Sequence, residues 1–395
     1  MKIFEGANVP IKSWCNNPEE GALDQARNLA RLPFIFKHIC LMPDVHQGYG
    51  MPIGGVIACE NAVIPNAVGV DIGCGMCAVT TSIKAKDITT DILKKILGGS
   101  KENKGGIRAN IPTGFNHHKK DQKWIGFEEA PDIPIVKQEL KSARKQLGTL
   151  GGGNHFIEIQ KGSDGYIWIM IHSGSRNFGL KIATEYNKKA QELCKMWHSN
   201  IPPMKGQDGL AFLPTKTKEA NEYIEAMTYA LKFAYENRLQ MLEQCKKEFS
   251  DVIDCGFSKV INIHHNYASI ENHFGQNVWV HRKGATSARE GELGIIPGSQ
   301  GTASYVVKGL GSPESFMSCS HGAGRRMSRK KAREELNLEQ EIKMLDSRNI
   351  LHSIRHKNNL DEASSAYKNI DVVMNEQKDL VEIVTKLEPL AVVKG

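Results

Sequence analysis

The residues able to do chemistry in this chain sit in glycine-rich phrases that lie far apart. Asp71 and Cys74 are in VGVDIGCGM, and Asn154, His155 and Glu158 are in GTLGGGNHFIE. His172 opens HSGSR, His265 closes HH ahead of Asn266 and Tyr267, and His321 is in SHGAGRRMSR. Phrases this specific are not core packing. If they serve one site, segments from both ends of the chain must meet, which favours one compact unit over 1–395 rather than independent modules. The expected class is α+β, with mixed and antiparallel sheets and flanking helices.

Carboxylate, thiolate and imidazole are the side chains that bind borderline divalent transition metals. Asp71, Cys74, His155, His172 and His265 are more ligands than one closed tetrahedral site needs, and two metals sharing a ligand would use them all. His321 is then left over for chemistry, so the chain reads as an enzyme.

Composition narrows the setting. At 395 residues the chain can bury a sizeable core. It carries no apolar run of membrane-spanning length, and MKIFEGANVPIKSW lacks the apolar stretch of a signal peptide. No membrane association is expected, and the cytoplasm is the expected compartment. Nine cysteines, odd in number and irregularly spaced, argue against a secreted disulfide framework. In a reducing compartment Cys74 stays a thiol, available to a metal. The net charge of +7 suits a polyanion such as RNA, yet many proteins that bind none carry as much.

The first 80 residues read as short strands and tight turns, with GGVIAC, AVIPNAVGVDI and CAVTTSI broken by glycine or proline. Residues 86–125 are lysine-rich, and NHHKKDQK over 116–123 reads as an exposed loop. A basic helix is expected from Val136 to Gln146, and GYIWIMIH is a buried strand that ends at His172. Apolar residues at three- and four-residue steps predict a helical insertion around 217–249. Strands return in VINIHHNY, VWVHRKGA, ASYVVKGL and SFMSCSHGAG. MSRKKAREELNLEQEIKML and DLVEIVTKL read as helices, before a strand-like tail PLAVVKG.

Each motif has a plainer reading beside it. Asp71 and Cys74 can place both heads on one side of a glycine turn, or the phrase can be a strand end with a buried cysteine. Cys74 and Cys77 form C-x-x-C, but without a second such pair a zinc ribbon is disfavoured. Gly73, Gly75 and Ala78 fit the dinucleotide spacing, but β-like AVTTSI follows where that pattern needs a helix. Gly148 and Gly151 to Gly153 allow backbone approach to a phosphate. His155 and Glu158 share a face only if FIEI is helical, and FIEI looks like a strand. PGSQGTAS can hold phosphate or base edges through N–H and hydroxyl donors. Arg325, Arg326 and Arg329 can neutralise phosphate or simply start an exposed helix. His321 can attack phosphorus to give a phosphoramidate, or act as a general acid–base.

Taken in order, PDVHQGYGMPIGGV, VGVDIGCGM, GTLGGGNHFIE, WIMIHSGSR, HHNY, RKGATSA, GIIPGSQG, SHGAGRRMSR and the terminal VVKG resemble the RNA-splicing ligase RtcB family, of its short bacterial type. The resemblance runs from about Pro43 to Gly395. It implies an RtcB-like fold and a GTP- and manganese-dependent RNA ligase. Such an enzyme joins an RNA 3′-phosphate or 2′,3′-cyclic phosphate to a 5′-hydroxyl, in tRNA splicing or RNA repair. By the matching motifs His321 takes GMP from GTP. Asp71, Cys74, His155, His172 and His265 hold two Mn2+, with Cys74 bridging. The GTP site is implied at Asn154, His155, Phe156, Ile157, Glu158, His265, Asn266, Pro297, Gly298, Ser299, Gln300 and Ser304. It continues at His321, Gly322, Ala323, Gly324, Lys394 and Tyr367, the last near the guanine.

Two other classes compete with this reading. A metal-dependent phosphodiesterase or phosphatase of RNA ends would use the same ligands without covalent nucleotide, and would not need His321. A non-catalytic RNA-binding paralogue would be expected to lack a ligand or the nucleophile, and all are present. The sequence leaves open which RNA is joined, whether archease serves as an activating partner, and what Cys77 does. A monomer is the default. The basic segment 101–123 and the helix 217–249 carry little of the resemblance and are where RNA choice could differ.

Overall fold

The structure, a computed structural model, describes residues 1–99, 104–199 and 209–395. Part of the lysine-rich stretch, 100–103, lies outside the described residues. Two large sheets dominate. One has seven strands in the order Ile261–His264, Gly75–Lys84, Tyr166–Ser173, Phe156–Gly162, Val381–Lys394, Ser304–Gly309 and Leu293–Ile296, all antiparallel. The other has six, in the order Lys2–Phe4, Ile11–Ser13, Ile35–His46, Ile53–Cys59, Gln276–Lys283 and Asn266–His273. Its Ile11–Ser13 and Ile35–His46 strands run parallel, which makes it mixed. The α+β expectation, with mixed and antiparallel sheets, is met.

His264 closes a strand of the seven-stranded sheet and Asn266 opens a strand of the six-stranded one, so His265 is the joint between them. A two-stranded ribbon of Ala285–Ser287 and Ser318–Ser320 lies against that joint, Ala285 N donating to His265 O at 3.2 Å, and delivers His321.

The strand Tyr166–Ser173 shows why the larger sheet reads as a continuous apolar run. Ile167, Ile169 and Ile171 pack with Ile157, Ile159 and Met241 on one face. Trp168 and Met170 pack with Phe156, Leu345 and Val392 on the other. With both faces covered there is no polar side for the sequence to alternate toward. Each buried isoleucine contributes roughly 1.5–3 kcal/mol.

The helix expected over 217–249 spans Lys218–Ser250. Thr217 caps it, its hydroxyl accepting from the Ala220 N–H at 3.2 Å. Tyr223, Met227, Ala230 and Phe233 bury its inner face against Phe178, Ile182 and Tyr186 of the helix Arg176–Met196. Among the described residues no helix is long and apolar enough to cross a membrane.

Three expectations need correction. The first 80 residues are not all strand and turn: Glu20–Leu29 is a helix, with Ala22, Leu23, Ala26 and Leu29 on its buried side, and Pro65–Val68 is a helical turn. MSRKKAREELNLEQEIKML is two helices, Arg329–Glu335 and Leu338–Ser347. Asn337 ends the continuity by capping the second, accepting from the Gln340 N–H at 3.1 Å. DLVEIVTKL is not a helix. Its β-branched Val381, Ile383, Val384 and Thr385 join the tail in one strand, Val381–Lys394, paired to Ser304–Gly309 and Phe156–Gly162.

Candidate active site

Cys74 sits where a glycine turn enters the strand Gly75–Lys84. Gly73 takes φ 74° there, which L side chains rarely adopt. Cys74 Sγ lies 3.4 Å from His155 Nε2 and 3.3 Å from His172 Nε2. His172 Nε2 is 3.4 Å from His265 Nε2, and His155 Nε2 is 3.1 Å from Asp71 Oδ2. Two ligand groups result, Asp71–Cys74–His155 and Cys74–His172–His265, each with its donor atoms within 4.8 Å of one another. Cys74 belongs to both. The alternative of an isolated buried cysteine at a strand end is set aside by these neighbours.

Backbone carbonyls orient the rings. His155 Nδ1 donates to Leu150 O at 2.9 Å, and His172 Nδ1 donates to Asn154 O at 3.2 Å. Each Nε2 lone pair is therefore turned toward the cluster, as a metal-binding imidazole requires. Burial, and then neighbouring imidazole charge, holds His172 and His265 well below the usual histidine range, so both are neutral donors. Burial, and then the Asp71 carboxylate, pushes the Cys74 thiol well up, so its thiolate needs a cation beside it. Buried nitrogen and sulfur donors with one carboxylate suit a borderline divalent transition metal.

His321 meets this cluster from the end of the two-stranded ribbon, held by a residue of the six-stranded sheet. Asp44, on the strand Ile35–His46, is wholly buried and gives one oxygen to three donors. Its Oδ2 accepts from His321 Nδ1 at 2.6 Å, His321 N at 3.1 Å and Gly322 N at 3.3 Å. Burial raises the Asp44 carboxyl, but the His321 charge and hydrogen bond outweigh it and hold it below its ordinary value. Gly324, at φ 72°, lets the loop close against Asp44 O, where any Cβ would collide. With Nδ1 occupied, Nε2 is the free nitrogen of His321. Its ring centroid is 4.8 Å from that of His265.

A cleft of about 680 Å3 joins these parts. Asn154, Phe156, Glu158, Asn266 and Pro297 to Gln300 line it together with His321 to Gly324, Tyr367 and Lys394. Asp71, Cys74, His172 and His265 line it as well. His155 is behind the wall, reached through Asp71 and Cys74. Besides His155, two further expected lining residues do not face the cleft. Ile157 points away into the core, because strand alternation puts Phe156 and Glu158 on the opposite face. Ser304 is buried and props the loop, accepting from Gly298 N at 3.1 Å and from Gln160 Nε2 at 3.2 Å.

Glu158 is 2% exposed and accepts from Gln160 Nε2 at 2.6 Å. Burial raises its carboxyl to about 8, against the pull of Lys394 and Gln160. Lys394 Nζ is 3.8 Å from Glu362 and 5.7 Å from the Phe156 ring centre. Tyr367 donates its hydroxyl to Glu362, and Arg325 lies 5.1 Å over its ring. Arg325 and Arg329 both bond Glu362, at 3.2 and 3.0 Å. Arg326 Nε donates to Ser365 O at 2.6 Å.

The family model of the tRNA-splicing ligase RtcB matches residues 25–133 and 125–395. This chain belongs to the RtcB family. It is 39% identical to the RNA-splicing ligase RtcB of Escherichia coli, over 100% of this chain and 99% of that protein. It is 33% identical to the tRNA-splicing ligase RtcB of Nanoarchaeum equitans, over 98% of this chain and 96% of that protein. For Thermococcus kodakarensis the identity is 31%, over 95% and 92%.

RtcB membership draws attention to residues that sequence reasoning missed. Asp44 stands inside PDVHQGYGMPIGGV, a phrase that carried the resemblance without any role given to it. Lys283, inside RKGATSA, is nearly buried on the cleft wall and donates to Asn66 O at 3.0 Å and to Tyr49 O. Burial brings its ammonium down to about 7. Glu362 gave no signal, because its partners Arg325, Arg329 and Lys394 are distant in sequence. Cys77 is buried in the core among Val79, Ile169 and Met241, three residues past Cys74 on the strand Gly75–Lys84.

Proposed function

We propose that this chain is an RNA ligase that joins a 3′-phosphate or 2′,3′-cyclic phosphate end to a 5′-hydroxyl end, using GTP and a guanylylated His321. The observation that carries the reading is His321 itself. Its Nδ1 is tied to a buried carboxylate and its Nε2 is free beside a two-part ligand cluster that shares Cys74. The membership in a family of RNA-splicing ligases supports it.

In this reading Asp71, Cys74, His155, His172 and His265 hold two Mn2+. When bound, the metal supplies positive charge to the phosphates and assists in-line displacement. His321 Nε2 attacks the α-phosphorus of GTP, forming an N–P bond while pyrophosphate leaves. The ring becomes cationic, and Asp44 stabilises it through the Nδ1–H bond. Tyr367 and Phe156 offer aromatic faces for a base, Glu158 and Lys394 polar groups for its edge, and the 297–300 loop N–H and hydroxyl donors for phosphate. A cyclic phosphate end is opened by water to the 3′-phosphate. An oxygen of that phosphate takes GMP from His321 and frees the ring. The 5′-hydroxyl then attacks the activated phosphorus, a 3′,5′-diester forms and GMP leaves. The activation is required because an unactivated phosphate monoester lacks a good leaving group.

The test uses two oligoribonucleotides, one ending in 3′-phosphate and one beginning with 5′-hydroxyl. Joining is expected only with GTP and a divalent metal, and not in His321→Ala. Release of phosphate or opening of cyclic ends without GTP, unchanged in His321→Ala and with no joining, would overturn the ligase in favour of a phosphodiesterase. Joining by wild type with and without added archease reports whether that partner is needed, and a cytoplasmic monomer is the form we expect to act.

A further inference from the structure

Against the glycine segment 148–151 lies a loop that the reaction above does not use, residues 113–123, TGFNHHKKDQK. Phe115 in it is 101% exposed, more than any other large apolar residue among those described. A single exposed apolar side chain is ordinary. Its position and its neighbours set this one apart.

The loop is fixed at several points along its length. Gly114 N donates to Gly151 O at 2.7 Å, and Arg176 Nη2 donates to Gly114 O at 3.0 Å. Further along, His118 N bonds Lys145 O at 3.0 Å, Gln122 N bonds Arg144 O at 2.8 Å, and Gln240 Nε2 bonds Lys123 O at 2.9 Å. Phe115 is thus held out into water by a braced backbone. Gly151, which takes the Gly114 N–H, is also the residue whose added Cβ would lie 2.8 Å from His155 Nδ1, so the start of the loop is bonded to the glycine segment that leads to His155. Lys119, Lys120 and Lys123 are exposed and make no ion pair among the described residues. Of the nearby carboxylates, Glu128 pairs with Arg144 and Asp132 with Lys137, while Asp121 within the loop and Glu129 beyond it make no ion pair among the described residues, so three lysines face one loop carboxylate. An aromatic face with unpaired cations along one track is how proteins hold single strands: bases stack and phosphates meet the charge.

We propose that residues 113–123 form a landing platform for single-stranded RNA entering the metal site, with a base stacked on Phe115 and phosphates met by Lys119, Lys120 and Lys123. This deepens the ligase reading and rests on it.

The experiment measures fluorescence anisotropy of a labelled twelve-nucleotide RNA ending in 3′-phosphate, with wild type, Phe115→Ala and Phe115→Trp. Because Phe115 is fully exposed, the melting temperature is expected to stay unchanged. Phe115→Ala should weaken RNA binding by about fivefold or more, and Phe115→Trp should restore it. Replacing Lys119, Lys120 and Lys123 with Ala should flatten the dependence of log Kd on log salt by about 0.7 for each phosphate that is no longer neutralised. GMP labelling from GTP should be the same in all of them. RNA affinity indifferent to Phe115 overturns the platform, in favour of a protein occupant of that surface or none, and leaves the ligase standing. Phe115-dependent binding in a protein that takes no GMP supports the platform and sinks the ligase.

Discussion

One carboxylate oxygen decides how His321 is presented. Asp44 Oδ2 receives the ring and two backbone N–H groups. Asp44→Asn keeps the size but removes the charge and can present an N–H to the ring, which favours the wrong tautomer. GMP transfer to His321 should fall by roughly 10²- to 10⁴-fold, read by single-turnover labelling, with the fold intact by circular dichroism. Glu158 offers a second residue-scale prediction. Its carboxyl is raised from the ordinary 4.5 to about 8, so the folded protein holds a proton that the unfolded chain gives up. The stability this contributes is present at low pH and is lost as pH rises through that window. The melting temperature of wild type should fall relative to Glu158→Gln between about pH 5 and pH 8. Parallel pH profiles would contradict the assignment. Residues inside glycine-rich phrases are readable from sequence because so little else explains such phrases. Asp44, Lys283 and Glu362 are not, since only folding brings their partners near. The family resemblance implies Ile157 for the site, and strand alternation puts it in the core.

At the scale of elements, the helix Lys218–Ser250 is part of the site's frame. Asn237 Oδ1 accepts from Gly148 N at 2.7 Å and Thr149 N at 3.1 Å, and Nδ2 donates to Gly174 O at 3.1 Å. Arg238 Nη1 donates to Gly73 O at 2.8 Å and Ser173 O at 2.9 Å, and Nη2 approaches His264 Nδ1 at 3.1 Å. One turn of helix thereby ties the Cys74 turn, the 148–155 loop, the end of the His172 strand and the His265 joint. The periodicity of the helix is plain in the sequence. Its role is not, because Asn and Arg in a helix read as solvent-facing until the sheet is seen to cover them. Asn237→Leu keeps the volume and strands two buried N–H groups. It should cost about 2–4 kcal/mol in urea unfolding and weaken metal binding as well. The tail is the opposite case. DLVEIVTKL carries charges at helical intervals, and only its pairing to strands 304–309 and 156–162 decides for β.

For the molecule as a whole, the candidate site lies on the seam between the sheets. Of the candidate ligands, His172 lies in the seven-stranded sheet, Cys74 and His155 directly precede two of its strands, Asp71 is on the turn before Cys74 and His265 is at the joint, while Asp44 comes from the six-stranded sheet. Cations held there should stabilise the folded protein, by about 2.7 kcal/mol at a hundredfold excess over Kd. Wild type should therefore melt a few degrees higher with manganese than with chelator, and Cys74→Ala, which removes the shared ligand, should abolish that difference. The convergence itself is the part of the whole-molecule picture that sequence supplies, since ligands so far apart in the chain make sense only if brought together. Which sheet holds which residue is beyond it.

The central claim is a covalent GMP on His321. Wild type and His321→Ala are incubated with α-labelled GTP and manganese, with and without archease, and run on a denaturing gel. An acid-labile, alkali-stable label on wild type alone is the predicted result. Absence of label from pure wild type under all these conditions, with cobalt and zinc also tried, would contradict it.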